Sequence, residues 1–275
     1  MPAITSHGLR KTYDGTVAVE SLDFAVDRGT ILGFLGPNGA GKTTAIRMLS
    51  TVLEPDAGSF SVAGIPHTDP VQIRRRVGVL PESAGYPATQ TAQEWLSYHA
   101  QLFGSPGRAA AATATRLLGE VGLADRAASQ IRTMSRGMRQ RLGIARALVN
   151  DPEVVFLDEP TLGLDPAGQG QVLQLVTSVA RERGVTVVLS THLLAEVEQV
   201  CDRVLILNRG RLVSEGTIAE TVTRGAADVQ SALVEVPAEQ REQALELLQR
   251  NGIGAASADA GRLREAFLAL TEDQP

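Results

Sequence analysis

The stretch "GPNGAGKTT", residues 36–44, follows the apolar run "TILGFLG" (30–36) and leads into "TTAIRMLS" (43–50), which has helical spacing. It fits G-x-x-x-x-G-K-[ST], with Gly36, Gly41, Lys42 and Thr43 in the fixed places. The spacing has a chemical reason. Glycines let a loop curl so that successive backbone N–H groups converge on one anion, and the helix behind it aims its positive end there. The loop formed by Gly36, Pro37, Asn38, Gly39, Ala40 and Gly41, with Thr44 behind it, is therefore expected to wrap a polyphosphate. Lys42 is expected to reach its outer phosphates and the Thr43 hydroxyl to ligate Mg²⁺. The strand before and helix after distinguish this from a glycine-rich turn with a chance lysine.

Outward from this loop, further short apolar runs recur: "RVGVLPE" (76–82), "EVVFLDEP" (153–160), "VTVVLSTH" (185–192) and "RVLILNRG" (203–210). Runs that are apolar throughout, with helical patterns between most of them, predict a mostly parallel sheet covered by helices. Residues 3–29 alternate more and predict antiparallel strands around a turn at Asp14-Gly15. From Thr91 to about Asn150 the pattern is helical, as in "TAQEWLSYHAQLFG" and "GRAAAATATRLLGEVG", which predicts an inserted helical subdomain at about 88–152. After residue 220 the sequence turns polar, then predicts a short strand at 232–236 and an amphipathic helix at 237–250. The expected organisation is a binding domain over 1–220 and a small α+β appendage over 221–275. The fold class is α/β: a P-loop NTPase core with an antiparallel N-terminal β subdomain.

Two buried-strand ends carry chemistry. "VVFLDEP" finishes in Asp158 and Glu159, and acids at the tip of a core strand are rare unless paired or metal-bound. Beside a phosphate loop, Asp158 is expected to hold Mg²⁺ and Glu159 to orient or deprotonate an attacking water. The plainer alternative is two solvated loop acids. "TVVLSTH" ends in His192, on the sheet edge where α/β folds bind ligands, which predicts a γ-phosphate contact. His7, His67 and His99 read as structural.

The formal net charge of −5 gives no global attraction to nucleic acid. The single cysteine, Cys201, excludes an internal disulfide and fits a reducing compartment. The first residues lack the apolar stretch of a secretion signal. No apolar run approaches bilayer-spanning length, so membrane contact is expected to go through a partner.

"MSRGMRQRLGIAR" (134–146) is a glycine-containing turn followed by a basic helix. Together with "GPNGAGKTT", "VVFLDEP", "TLGLDP" (161–166) and "STH" (190–192), in that order, it makes residues 1–220 resemble the nucleotide-binding subunit of an ABC transporter. The resemblance implies that "MSRGMRQR" is the signature motif, completing the ATP site of a second subunit head to tail. Ser135, Gly137 and Met138 would then meet the γ-phosphate held by the partner copy, and Asp165 would link the two sites. It also implies that Tyr13 stacks on adenine. Glu82 stands where the family typically has a glutamine that offers a neutral oxygen to Mg²⁺; it is the third candidate metal ligand, or only adds charge beside Asp158 and Glu159.

Arg136 replaces a glycine of the signature pattern; its cation either reaches the bound triphosphate or points to solvent. Arg139 and Arg146 remain readable as a solvated face. These departures, with "LPES", "TAQEWLSYHAQLFG" and "LREAFLALT", resemble the ATPases of ABC-2-type exporters. The implied cofactors are ATP and Mg²⁺, and the implied reaction is ATP hydrolysis to ADP and phosphate. Implied partners are a second copy or homologous ATPase subunit and an integral membrane permease docked near Glu82 to Gly104, with no nucleic acid. The implied place is the cytoplasmic face of the cell membrane. A soluble ABC-type ATPase acting on the ribosome or DNA is the alternative; a P-loop kinase or GTPase would lack the signature turn.

Overall fold

A computed structural model of the chain describes residues 2–221, 240–250 and 267. The strands are β1 (Ile4–Tyr13), β2 (Thr16–Val26), β3 (Ile31–Leu35), β4 (Ala57–Val62), β5 (Ile65–Pro66), β6 (Val77–Leu80), β7 (Val154–Asp158), β8 (Thr186–Thr191), β9 (Arg203–Asn208) and β10 (Arg211–Thr217). They form one sheet in the order β5-β4-β1-β2-β10-β9-β3-β8-β7-β6. Every residue of β3, β7 and β8 is buried, which is why those runs carry no polar alternation. They pair in parallel with each other and with β6 and β9. β1 and β2 pair antiparallel across Asp14 and Gly15, whose φ of 46° and 82° suit a tight hairpin. β4 and β5 extend that antiparallel end. Phe24 of β2 and Phe34 of β3 meet edge to face at 5.7 Å within the core.

The helices are α1 (Lys42–Leu49), α2 (Pro70–Arg76), α3 (Ala92–Leu102), α4 (Gly107–Glu120), α5 (Arg136–Ala147), α6 (Pro166–Arg183) and α7 (Leu194–Val200). Thr91 and Glu94 close a reciprocal cap at the start of α3. Buried Trp95 packs against Tyr86 at 5.2 Å and His99 at 4.9 Å. His99 is thus structural, and burial lowers its pKa. α5 lies against β6 so closely that a Cβ on Gly78 would stand 1.8 Å from the Ala147 carbonyl oxygen.

The chain divides into two compact units, Met1–Glu215 and Gly216–Pro275. In the second, Thr217 and Glu220 exchange backbone-to-side-chain hydrogen bonds, and a helix runs over Arg241–Arg250. The strand expected at 232–236 lies outside the described residues. Cys201 is buried, and burial pushes its thiol pKa up, consistent with a packed core residue.

Candidate functional site

β3 delivers the chain to the glycine-rich loop. Gly41 has φ of 102°, and a Cβ there would stand 2.4 Å from the Ala18 carbonyl oxygen, so only glycine fits. α1 begins at Lys42 with no side chain capping its first turn, which leaves backbone N–H groups available to an anion. Lys42 is buried. Its ammonium donates to the carbonyls of Gly36 (2.7 Å) and Pro37 (3.2 Å) and lies 3.6 Å from Glu159 Oε1. Burial lowers the Lys42 pKa, opposed by the nearby negative charges of Glu159, Asp158 and Glu82.

At the end of β7, buried Asp158 pairs in register with Ser190 of β8. Asp158 Oδ1 accepts from Ser190 Oγ at 2.6 Å and from Thr43 Oγ1 at 3.0 Å. The Ser190 oxygen also accepts the Glu159 backbone N–H at 2.9 Å. Glu159 has φ of 48°, a conformation that a side chain adopts only when its surroundings hold it there. Ser190 thus holds both acids. Its only mark in the sequence is a hydroxyl at the end of an otherwise apolar strand. Glu159 Oε2 lies 3.0 Å from His192 Nδ1.

A 560 Å³ cavity opens over these groups, lined by the loop from Asn38 to Thr44 with Tyr13, Ala18, Glu82, Glu159, Leu162 and His192. That volume suits a ligand of nucleotide size. Tyr13 is 41% exposed, with the Lys11 ammonium 6.0 Å from its ring centroid. Glu82 is exposed on the wall. Among the described residues no cluster of three His, Cys, Asp or Glu side chains closes around a metal. The hard oxygens of Thr43 and Asp158 suit Mg²⁺, which keeps waters and takes substrate phosphates as ligands rather than sitting in an all-protein cage.

Ser135, Gly137, Met138 and Asp165 do not line this cavity. Ser135 is the exposed N-cap of α5, its hydroxyl accepting the Met138 N–H at 3.2 Å. Asp165 caps α6 by accepting the Gly168 N–H at 2.9 Å. The basic helix differs from a solvated face. Arg139 donates to the Met134 carbonyl (2.6 Å), Arg141 to that of Val121 (3.0 Å) and Arg146 to that of Val79 (2.7 Å), so these three cations bind their own fold. Arg136 does not line this cavity; it is exposed, with its guanidinium beside Gly163.

Residues 19–162 match the family described as ABC transporter. The chain belongs to that family. The ABC protein described as daunorubicin resistance ATP-binding protein DrrA3, from Streptomyces coeruleorubidus, is 41% identical over 227 residues, covering 82% of this chain and 72% of its own. Nod factor export ATP-binding protein I from Burkholderia pseudomallei is 41% identical over 209 residues, 76% of this chain and 68% of its own. Other relatives are matched over 66% and 58% of their lengths. The solved dimeric structure of MJ0796, a bacterial ABC transporter cassette, superposes with a TM-score of 0.72 at 25% identity, covering 78% of this chain and 98% of that one. The ABC cassette fold therefore extends well past the matched residues, through the β8 end that carries His192.

Proposed function

We propose that this chain is the ATP-binding and ATP-hydrolysing subunit of an ABC exporter, acting as a head-to-tail pair with a second copy or a homologous ATPase subunit. The observation that carries this reading is the division of the site. The loop from Asn38 to Thr44, Glu159 and His192 share one cavity, while the Ser135 turn stands outside it as an exposed helix start. Each cavity would be closed by the other subunit's Ser135, Gly137 and Met138, which offer a hydroxyl and backbone donors to the γ-phosphate.

Within the closed site the chain's own groups divide the work of phosphoryl transfer to water, where catalysis is mostly positioning and charge stabilisation. Lys42 would leave its carbonyl partners for the outer phosphates. Glu159 would orient the water and accept its proton, at a carboxylate held by Ser190 through the backbone and faced by His192. His192 would contact the γ-phosphate. Thr43 and Asp158 would hold Mg²⁺, which supplies charge neutralisation to the phosphate oxygens. Tyr13 would stack on the adenine, Glu82 would face the metal side, and Asp165 would join the two sites.

The export direction is supported by relatives whose printed roles are daunorubicin resistance and Nod factor export. Among the described residues no helix is long and apolar enough to cross a membrane, so transport would need a separate permease on whose cytoplasmic side the pair sits. Exposed Tyr98, Leu102 and Phe103, at the end of α3, offer an apolar surface for it within the 82–104 interval. Affinity purification of the full chain from its own membranes tests this. A multi-spanning membrane protein should co-purify at matching stoichiometry; recovery with ribosomes or DNA instead would overturn it.

A further inference from the structure

Glu196 is buried in the first turn of α7, 4% exposed. Its Oε2 accepts the Thr191 hydroxyl at 2.6 Å, while its Oε1 has no hydrogen-bond partner among the described residues. The same Thr191 oxygen accepts the Leu193 backbone N–H at 3.0 Å. One hydroxyl thus ties together the residues on either side of His192. α7 has Leu193 at its N-cap and no side-chain cap, so among the described residues the Thr191–Glu196 bond is the side-chain hydrogen bond that ties its first turn to the end of β8. His192, between them, is 37% exposed, and among the described residues its hydrogen-bonding contact is Glu159. The turn therefore sets where this half-covered ring meets Glu159.

We propose that Glu196 is a positioning residue for hydrolysis: through Thr191 it fixes the turn that sets His192 against Glu159. This rests on the roles proposed above for His192 and Glu159. A carboxyl buried with one oxygen unpartnered opposes folding, because its lost hydration is only half replaced. A side chain there for stability alone would do better apolar. What this one supplies is direction to the Thr191 hydroxyl.

That difference makes the test decisive. Steady-state ATP hydrolysis and thermal melting are measured on the full chain for the wild type, Glu196→Met, Glu196→Gln, Thr191→Val and His192→Ala. Glu196→Met removes the acceptor and the unpartnered oxygen together. It should melt at or above the wild-type temperature, yet lose about tenfold or more in kcat with KM for ATP unchanged, since small displacements of reacting groups are that costly. Glu196→Gln, whose amide oxygen still accepts from Thr191, should restore kcat, and Thr191→Val should behave kinetically like Glu196→Met. Full kcat in Glu196→Met, a kcat loss that only tracks a fall in melting temperature, or no rescue by Gln would overturn the proposal. His192→Ala separates the layers. If it keeps full turnover, the assignment of the site fails; if it loses turnover while Glu196→Met does not, only the positioning role fails.

Discussion

The Arg136 guanidinium lies against Gly163, so close that a Cβ on the glycine would stand 2.6 Å from Arg136 Cζ. Gly163 has φ of 69° and belongs to the loop that ends in Asp165. The turn carrying Ser135 and the loop carrying Asp165 therefore come together through this contact within one chain. The proposed pairing puts both at the seam between subunits, where they would approach a partner as one surface.

Gly163→Ala should cost about 1–2 kcal/mol of stability from the left-handed backbone alone, and it should also displace Arg136. In denaturant unfolding, adding Arg136→Ala to Gly163→Ala should then cost less than Arg136→Ala costs in the wild type. Strict additivity would mean that the two residues do not share a contact in solution.

Glu159→Gln keeps the shape of the side chain but removes its basicity. Turnover should fall about 10²–10⁴-fold, the usual contribution of a positioned general base, with nucleotide affinity retained. Paired hydrolysis and equilibrium-binding measurements on that variant check both halves of the statement.

Lys42→Ala should act the other way. It removes the charged donor for the outer phosphates, and ATP affinity should weaken by roughly 1.5–3 kcal/mol, the range for a hydrogen bond to a charged group. Titration with a nucleotide analogue reads this directly, and undiminished affinity would contradict the role given to the loop.

Tyr86 gives a pH test of the joint between the loop after β6 and α5. Its hydroxyl donates to the Arg139 carbonyl at 2.8 Å, and burial pushes its pKa from 10.0 up to about 12. The folded state therefore favours the neutral phenol. Its stabilising contribution is complete below pH 10 and is lost as pH rises through 12. Denaturant melts across that window should show the wild type losing stability more steeply than Tyr86→Phe. On the α5 side, a Cβ on Gly143 would stand 2.5 Å from the Tyr86 hydroxyl oxygen, so Gly143→Ala should destabilise by about 1–3 kcal/mol through overpacking.

What was legible in the sequence was the chemistry written in consecutive residues. Gly36 to Thr44, Asp158-Glu159 and His192 each follow a wholly buried strand, so their place at one sheet edge followed from pattern alone. β4 and β10 carry no strand signature, because "AGSFSV" and "RLVSEGT" mix small, polar and charged residues with few apolar ones. Arg139 and Arg146 read from sequence as a solvated face, since no pattern of residues marks the carbonyls of Met134 and Val79 as acceptors of their hydrogen bonds. The partners of Ser190 and Glu196 are likewise hidden: they are set by strand register and by the turn after β8, which only the folded chain displays.

Whether two copies share one reactive centre is read from the molar mass of Glu159→Gln in light scattering, with and without ATP and Mg²⁺. The mass should be that of a single chain without nucleotide, twice that with ATP, and that of a single chain again when Ser135→Arg is added while ATP still binds. A single-chain mass at saturating ATP, in a protein whose wild-type form hydrolyses ATP at full rate as a monomer, would contradict a shared centre.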